Sequence, residues 1–154
     1  MMPYDHTQTG WMHYLLYGVG LAMLAMTWAL GADPVAQYLL PLVAAVMFLF
    51  GASFHRLTVQ DEGDYLSVRY GPVPLFGRRF AYKEMTTAEP DRTSIIDGWG
   101  IHYIPGRGWT YNLKGFQCVK VSFGKKVVRI GTDEAPALAA FLQGKIEEAN
   151  RGGV

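Results

Sequence analysis

Cysteine is almost missing from this chain of 154 residues, which has only Cys118. A single thiol excludes an intrachain disulfide and any metal site that needs several cysteines. The histidines do not compensate, because no two of them have a metal-ligand spacing such as His-x-x-x-His. We therefore predict neither a metal nor a cofactor. One alternative stays open at His13, a cofactor-binding subunit, because an ionisable group inside an apolar segment is a candidate functional residue.

Lysine and arginine are missing from the first part of the chain. All 14 of them lie at or after Arg56, and the only acidic residues before that point are Asp5 and Asp33. The formal net charge is only +1, whereas nucleic-acid-binding proteins concentrate basic residues in one dense patch. The distribution argues against a nucleic-acid partner and predicts a membrane anchor followed by a water-exposed module.

Signatures of catalysis are missing as well. None of the serines stands in a nucleophile elbow, and Gly106-Arg107-Gly108 is too short for a phosphate-binding loop. We therefore predict that the protein is not an enzyme, and the sequence identifies no small-molecule substrate.

Two long apolar runs dominate residues 11–54, on either side of Gly31-Ala32-Asp33-Pro34. Each run has about 20 residues, and at ~1.5 Å per residue such a helix crosses a hydrocarbon core of ~30 Å. We predict an N-terminal tail over residues 1–10 and a two-helix transmembrane anchor over residues 11–54. Pro34 suits the first turn of the second helix, where its missing N–H costs nothing.

Two alternatives compete with this anchor. A cleaved signal peptide would use the small residues around Ala29-Leu30-Gly31, but the run has no basic n-region and is longer than a typical h-region. A buried soluble hairpin would need a polar face on each helix, and both runs are apolar all round.

The basic residues predict the orientation of the anchor. The connector between the runs has none, whereas His55-Arg56 and then Arg69, Arg78 and Arg79 follow the second run. By the positive-inside tendency the C-terminal module lies in the cytoplasm, and two spans place the N-terminus on the same side.

From Arg56 onward the apolar residues alternate with period two, which is typical of strands. Turns are predicted at residues 61–64, 71–74, 89–92 and 105–108, and Gly124 stands at the corner of the clearest hairpin, 116–130. An amphipathic helix is predicted over residues 133–150, with Lys145 as the one charged member of its apolar stripe. Residues 151–154 form a tail. The predicted fold class is a membrane helical hairpin followed by an α+β domain over residues 55–150, in which six or seven antiparallel strands form a small barrel or sandwich.

This order of elements resembles small bacterial membrane proteins that carry a pleckstrin-homology-like (PH-like) domain. Three stretches carry the resemblance, residues 96–101 (IDGWGI), 106–112 (GRGWTYN) and 130–134 (IGTDE). The resemblance implies a seven-stranded barrel with a helix across one end, in a protein of the bacterial inner membrane. It does not imply phosphoinositide binding.

Two sets of residues are candidates for contacts. For a protein partner these are Trp99, Trp109 and Tyr111 of the domain and Gly18, Ala22 and Ala25 of the first helix, although aromatic residues beside glycines also pack over barrels and small residues also pack a hairpin against itself. For lipid headgroups they are Arg56, Arg78, Arg79 and Lys83, while Lys125, Lys126 and Arg129 form a second basic cluster.

These observations predict a non-catalytic membrane protein whose PH-like domain binds another protein, as an accessory or assembly subunit of a larger membrane complex. The partners expected are other membrane-protein subunits. A membrane-anchored module that senses lipid headgroups is the alternative.

Overall fold

Two apolar helices, two β-sheets and a closing helix make up the computed structural model, which describes residues 2–31, 33–94 and 98–151. The elements are β1 (Asp5–Thr9), α1 (Met12–Leu30), α2 (Pro34–Ser53), β2 (Arg56–Asp61), β3 (Tyr65–Gly71), β4 (Gly77–Ala81), a 3-10 turn (Tyr82–Glu84), β5 (Thr87–Arg92), β6 (Gly100–Ile104), β7 (Gly108–Asn112), β8 (Gln117–Phe123), β9 (Lys126–Gly131) and α3 (Ala135–Arg151).

Helices α1 and α2 are both long and apolar enough to span a membrane. The Asp33 carboxylate accepts a hydrogen bond from the Ala36 N–H at 2.9 Å, and Pro34 occupies the first turn of α2 as predicted. Only 11% of the α1 span and 17% of the α2 span is buried within the molecule. The helices pack on each other and leave most of their apolar surface exposed, which is not the arrangement of a buried soluble hairpin.

Strand β1 lies in the segment that the sequence analysis assigned to an N-terminal tail. It pairs antiparallel with β2, from Asp5 opposite Gln60 to Thr9 opposite Arg56. The Gly10 N–H extends this ladder by donating to the His55 carbonyl at 3.2 Å. The helical hairpin is thus an insertion between two neighbouring strands of one sheet, and the two chain ends that enter and leave it are held side by side.

The strands form two separate sheets, in the orders β1-β2-β3-β4 and β5-β8-β9-β7-β6. All pairings are antiparallel except the one between β7 and β9. Of the predicted barrel or sandwich, the barrel is wrong, because among the described strands none of one sheet pairs with a strand of the other and the sheets do not close. Two separate sheets are compatible with the sandwich alternative. The prediction of six or seven strands is also too low, because eight described strands follow α2.

Strand β5 contains Glu89-Pro90-Asp91-Arg92, which the sequence analysis expected to be a turn. It is the edge strand of its sheet and pairs only with β8, where Pro90 lies opposite Val119. An edge strand tolerates proline because the missing N–H can fall on the unpaired side.

One hydrophobic core lies between the sheets and α3. The alternating residues of the predicted strands are buried as expected, and so is the helix stripe of Leu138, Leu142 and Ile146. Helix α3 runs over Ala135–Arg151, within two residues of the predicted 133–150. The predicted stripe therefore identifies the buried face of the helix correctly.

Lys145, the charged member of that stripe, has a specific partner. Its Nζ lies 3.0 Å from Oδ2 of Asp61 in β2, whose side chain is 6% exposed, and the Tyr82 hydroxyl donates to the other Asp61 oxygen at 2.8 Å. Burial disfavours the ionised carboxylate, but the hydrogen bonds from Lys145 and Tyr82 outweigh it and lower the pKa of Asp61. This ion pair fixes α3 against the first sheet.

Candidate functional site

A cleft of about 630 Å³ lies where β4 of the first sheet faces the β6–β7 and β8–β9 hairpins of the second. We call it the basic aromatic cleft. Its lining residues are Arg78, Arg79, Phe80, Glu84, Tyr103, Gly106, Arg107, Gly108, Trp109, Tyr111, Phe123, Lys125, Lys126, Val127 and Val128. Its size lies within the range of pockets that bind ligands or short chain segments.

Aromatic rings form the floor of the cleft. The ring centroid of Phe80 lies 5.8 Å from that of Tyr111 and 5.6 Å from that of Phe123, and Trp109 lies 5.4 Å from Tyr103. Tyr111 is buried, whereas Trp109 and Tyr103 keep 40% and 59% of their surface exposed. The floor therefore offers packed, rigid rings that an incoming apolar group can contact without reorganising the core.

Basic side chains form the rim. Five cationic residues line the cleft, Arg78, Arg79, Arg107, Lys125 and Lys126, against the single carboxylate of Glu84. Two residues of each predicted basic cluster, about 45 residues apart in the sequence, thus converge on one site. A surface with this excess of one sign attracts anionic groups.

The cations differ in how far their charge is already neutralised. Arg79 Nε lies 2.7 Å from Glu62 Oε2, whereas Arg78 lies over the ring of Phe80 with its guanidinium carbon 5.8 Å from the centroid. Within the described ranges Arg78, Lys125 and Lys126 form no ion pair. These three residues are the available charge of the site.

Arg129, the third member of the second basic cluster, supports the cleft from below rather than lining it. Its Nε donates to Asp91 Oδ2 at 2.9 Å, and its Nη1 donates to the Arg107 carbonyl at the β6–β7 turn. Burial opposes ionisation of Asp91, but hydrogen bonds from the Arg92 N–H and from Arg129 prevail and lower the pKa of the carboxyl. Arg129 is thereby committed to holding the turn in place.

Glycine is required where the β6–β7 turn meets β9. Gly108 has φ +87°, and a Cβ there would overlap the Val127 carbonyl. The close approach of these two backbones brings Trp109 and Lys126 to the same wall of the cleft.

The other predicted contact residues lie elsewhere. Trp99 packs edge-on against Trp11 with centroids 5.1 Å apart, at the junction with α1. Arg56 is exposed at the same junction, where its side chain lies against Gly71. Lys83 lines a different pocket, beside Lys145. The predicted headgroup residues therefore lie in three separate places. Of these residues only Arg78 and Arg79 belong to the cleft.

Gly18, Ala22 and Ala25 are exposed on α1 and face away from α2. The residues that pack the hairpin are others, since Gly20 lies against Phe48 and Gly51 lies against Tyr17. The interpretation that small residues pack the hairpin against itself therefore does not apply to Gly18, Ala22 and Ala25. The face that they form is open to a further helix.

His13 is buried at the start of α1, with its ring centroid 4.2 Å from that of His55. Its Nδ1 has no hydrogen-bond partner among the described residues. Among all the residues that the structure describes, no group of three or more His, Cys, Asp or Glu side chains could hold a metal ion. The sequence analysis singled out His13 but missed its pairing with His55, which depends on β1 and β2 closing the base of the hairpin.

Sequence reasoning also missed Phe80, Tyr103 and Phe123 as members of the site. The sequence indicates these three residues only through period-two alternation, which predicts that they lie on strands but not which strands are neighbours in space. No protein-family model and no curated protein matches this chain.

Proposed function

We propose that the protein is a non-catalytic integral membrane protein of the bacterial inner membrane whose C-terminal domain binds another protein, as an accessory or assembly subunit of a membrane complex. In this proposal α1 and α2 cross the bilayer and both termini lie in the cytoplasm. The observation that carries it is the basic aromatic cleft, an exposed concave site with aromatic residues on its floor and an excess of basic residues on its rim. Aromatic residues and arginine are the residue types enriched at protein interfaces.

The way the domain joins the anchor supports the proposal. Because β1 and β2 flank the hairpin and pair with each other, the first sheet, which contributes β4 to the cleft, is joined directly to the helices. A partner bound at the cleft is thereby held at a fixed distance from the bilayer, which is what an assembly subunit has to provide.

The small-residue face of α1 gives the same proposal a second contact. Gly18, Ala22 and Ala25 are exposed on one side of the helix, and small residues let helices approach closely in lipid. A membrane subunit of the complex would pack here. The relation to PH-like domains stays a prediction, supported by the order of two sheets followed by one C-terminal helix.

Co-purification tests the proposal. Full-length protein is extracted in a gentle detergent from its own membranes, and bound proteins are identified by mass spectrometry. We expect stoichiometric membrane partners, and we expect Gly18→Leu to remove some of them while Ala45→Leu, on the exposed face of α2, retains all. A protein that remains a solitary monomer in several mild detergents contradicts the proposal.

Lipid-headgroup sensing is the second candidate, and the position of Arg56 favours it. Arg56 is exposed directly after α2, where headgroups surround a spanning helix. Native mass spectrometry of the full chain tests this candidate by counting retained anionic lipids. Arg56→Gln should lower the count and Lys83→Gln should not. A fragment beginning at Arg56 is unsuitable, because it lacks β1.

A further inference from the structure

We infer that the basic aromatic cleft binds an acidic, extended segment of the partner protein, which adds as a strand to the free edge of β4. This inference rests on the proposed function and names the chemistry of the partner.

Strand β4 has one unpaired edge. In the described part of the chain it is the last strand of its sheet and pairs with β3 alone. The Tyr70 N–H donates to the Phe76 carbonyl at 3.0 Å and the Tyr82 N–H to the Asp64 carbonyl at 3.1 Å. Hydrogen-bonded and non-hydrogen-bonded pairs alternate along an antiparallel ladder, so the odd-numbered residues Gly77, Arg79 and Ala81 direct their N–H and C=O groups outward.

That free edge runs along the cleft. Arg78, Arg79 and Phe80 are consecutive and all three line it. Neighbouring side chains on a strand point to opposite faces, so three in a row reach one cavity only where the cavity follows the edge of the strand. An extended segment placed there gains main-chain hydrogen bonds from β4, as in other cases of strand addition.

The charge of the cleft selects the segment. Arg78, Lys125 and Lys126 face the segment without carboxylate partners of their own in the described residues. Acidic side chains of an added strand would meet these cations, and apolar side chains would meet the rings of Phe80 and Trp109. Arg78 and Phe80 are two residues apart on β4 and face the same side of the strand, so a segment that combines acidic and apolar residues satisfies both, whereas a basic segment would be repelled.

The free edge of β4 favours a protein over the headgroups of the protein's own bilayer. A lipid headgroup offers no row of main-chain N–H and C=O groups to pair with those of Gly77, Arg79 and Ala81, whereas an extended protein segment does. The end of the cleft at Arg78 is two residues from Phe76, whose ring centroid lies 6.0 Å from that of Phe50 in α2. Headgroup chemistry is therefore included in the test as a competitor.

Peptide binding to the full chain in zwitterionic lipid nanodiscs tests the inference. The probe is a fluorescein-labelled decapeptide that alternates Glu and Val with one central Phe, followed by fluorescence anisotropy. Three comparison probes are the same peptide with Lys for Glu, the same peptide N-methylated on alternate amides, and a soluble inositol phosphate as competitor. The expected result is binding of the acidic peptide that the Lys version lacks and that N-methylation weakens by about tenfold or more.

Variants assign the binding to the cleft. Lys125→Glu combined with Lys126→Glu changes two exposed residues at the β8–β9 hairpin, and we expect affinity for the acidic peptide to fall about tenfold or more. Lys83→Glu makes the same kind of charge reversal outside the cleft and should leave affinity nearly unchanged. Thermal unfolding of each variant verifies that the domain is intact.

Four results overturn the inference: no binding of the acidic peptide, equal binding of the Lys peptide, an equal loss with Lys83→Glu, or an inositol phosphate that binds where the peptide does not. The last assigns the cleft to headgroups. The proposed function fails separately, through the absence of co-purifying partners. If partners stay bound to the Lys125/Lys126 double variant, the proposed function still holds, but the cleft is not the site at which the partner binds.

Discussion

The helical hairpin and the sheet domain use apolar residues in opposite ways. In α1 and α2 leucines such as Leu42 and Leu39 are exposed, while in the domain Leu57, Leu66 and Leu142 have no exposed surface. A leucine stabilises a fold by burial only if it leaves water on folding. The same side chain therefore contributes to stability in the domain and, in the proposed membrane anchor, to solvation in lipid, and mutation can separate these two contributions.

The largest expected effect comes from breaking the Lys145–Asp61 ion pair, a polar contact at the edge of the apolar domain core. Lys145→Met leaves the buried carboxylate of Asp61 without its cation, and removing one partner of a buried pair costs about 3–5 kcal/mol. We expect a loss of about 3 kcal/mol in the free energy of unfolding by chemical denaturation in detergent. The matched control is Lys83→Met, an exposed lysine of the neighbouring turn, which should change little. A loss below about 0.5 kcal/mol for Lys145→Met would show that the pair is solvated.

The same pair predicts the response to acid. The pKa of Asp61 is lowered on folding from its ordinary value of 3.8, so its ionisation stabilises the fold fully above that value and the contribution is lost as pH falls through the folded pKa. Unfolding free energy should decline below about pH 4. Asp61→Asn should flatten part of that decline, although Asp91 and Asp133, whose pKa values are also lowered, retain the rest. An unchanged pH profile in Asp61→Asn would contradict the assignment.

Truncating one leucine in each region tests the comparison directly. Leu142→Ala in the domain core should cost about 2–5 kcal/mol, because Leu142 is fully buried. Leu42→Ala on α2 should cost less than about 0.5 kcal/mol, since Leu42 is 62% exposed to what we propose is lipid. Equal losses from the two variants would mean that the hairpin surface is covered in the detergent-solubilised protein.

Two glycines separate the packed and open faces of the hairpin. A Cβ at Gly51 would overlap the ring of Tyr17, whereas nothing lies within 4 Å of one at Gly18. Gly51→Val should destabilise by about 1–3 kcal/mol through overpacking. Gly18→Val, with the same helix propensity, should not destabilise the isolated protein, as measured by unfolding in detergent. Destabilisation by Gly18→Val alone would reverse the assignment of the two faces.

The smallest expected effect concerns the joint between the regions. The Gln8 side chain donates to the Gly131 carbonyl at 2.8 Å and so connects β1 with the second sheet. Gln8→Ala should cost about 1 kcal/mol and should speed amide exchange in β1, measured by hydrogen–deuterium exchange. Thr58→Ala, which removes an exposed hydroxyl contact with Thr7, is the control. No change in exchange would imply that β1 is held by its backbone ladder alone.

The sequence predicted the elements with the strongest periodicity. The two apolar helices within residues 11–54, the burial of alternating strand residues such as Val119 and Val121, and the buried stripe of α3 followed from apolar patterning, because that pattern reports which face leaves water. The pattern failed at β1, whose sequence DHTQT is polar. That strand is held by backbone pairing with β2 and by single side-chain contacts such as the one from Gln8 to Gly131, and neither leaves a periodic signal. The sequence pattern also failed at β5, where Pro90 indicated a turn. Proline is tolerated there because β5 is an edge strand.

Several residues of the candidate site could be identified from the sequence, but not which of them lie together in one site. Trp109, Tyr111, Arg78 and Arg79 were identified from the sequence, yet in separate roles. Only the structure brings them together with Lys125 and Lys126 and sets Trp99 and Lys83 apart. A cleft between two sheets depends on which strands face each other, and local periodicity carries no information on contacts between distant segments.

The sequence by itself determined that two apolar helices precede a strand-rich module and a closing helix, because hydrophobic length and period are local properties of the chain. The tertiary structure alone decided that the hairpin is inserted between paired strands, that the sheets stay open, and that parts of two distant basic clusters share one cleft. Those features arise from pairing of backbone groups far apart in the chain, whose free energy depends on geometry rather than on the residue types of either segment.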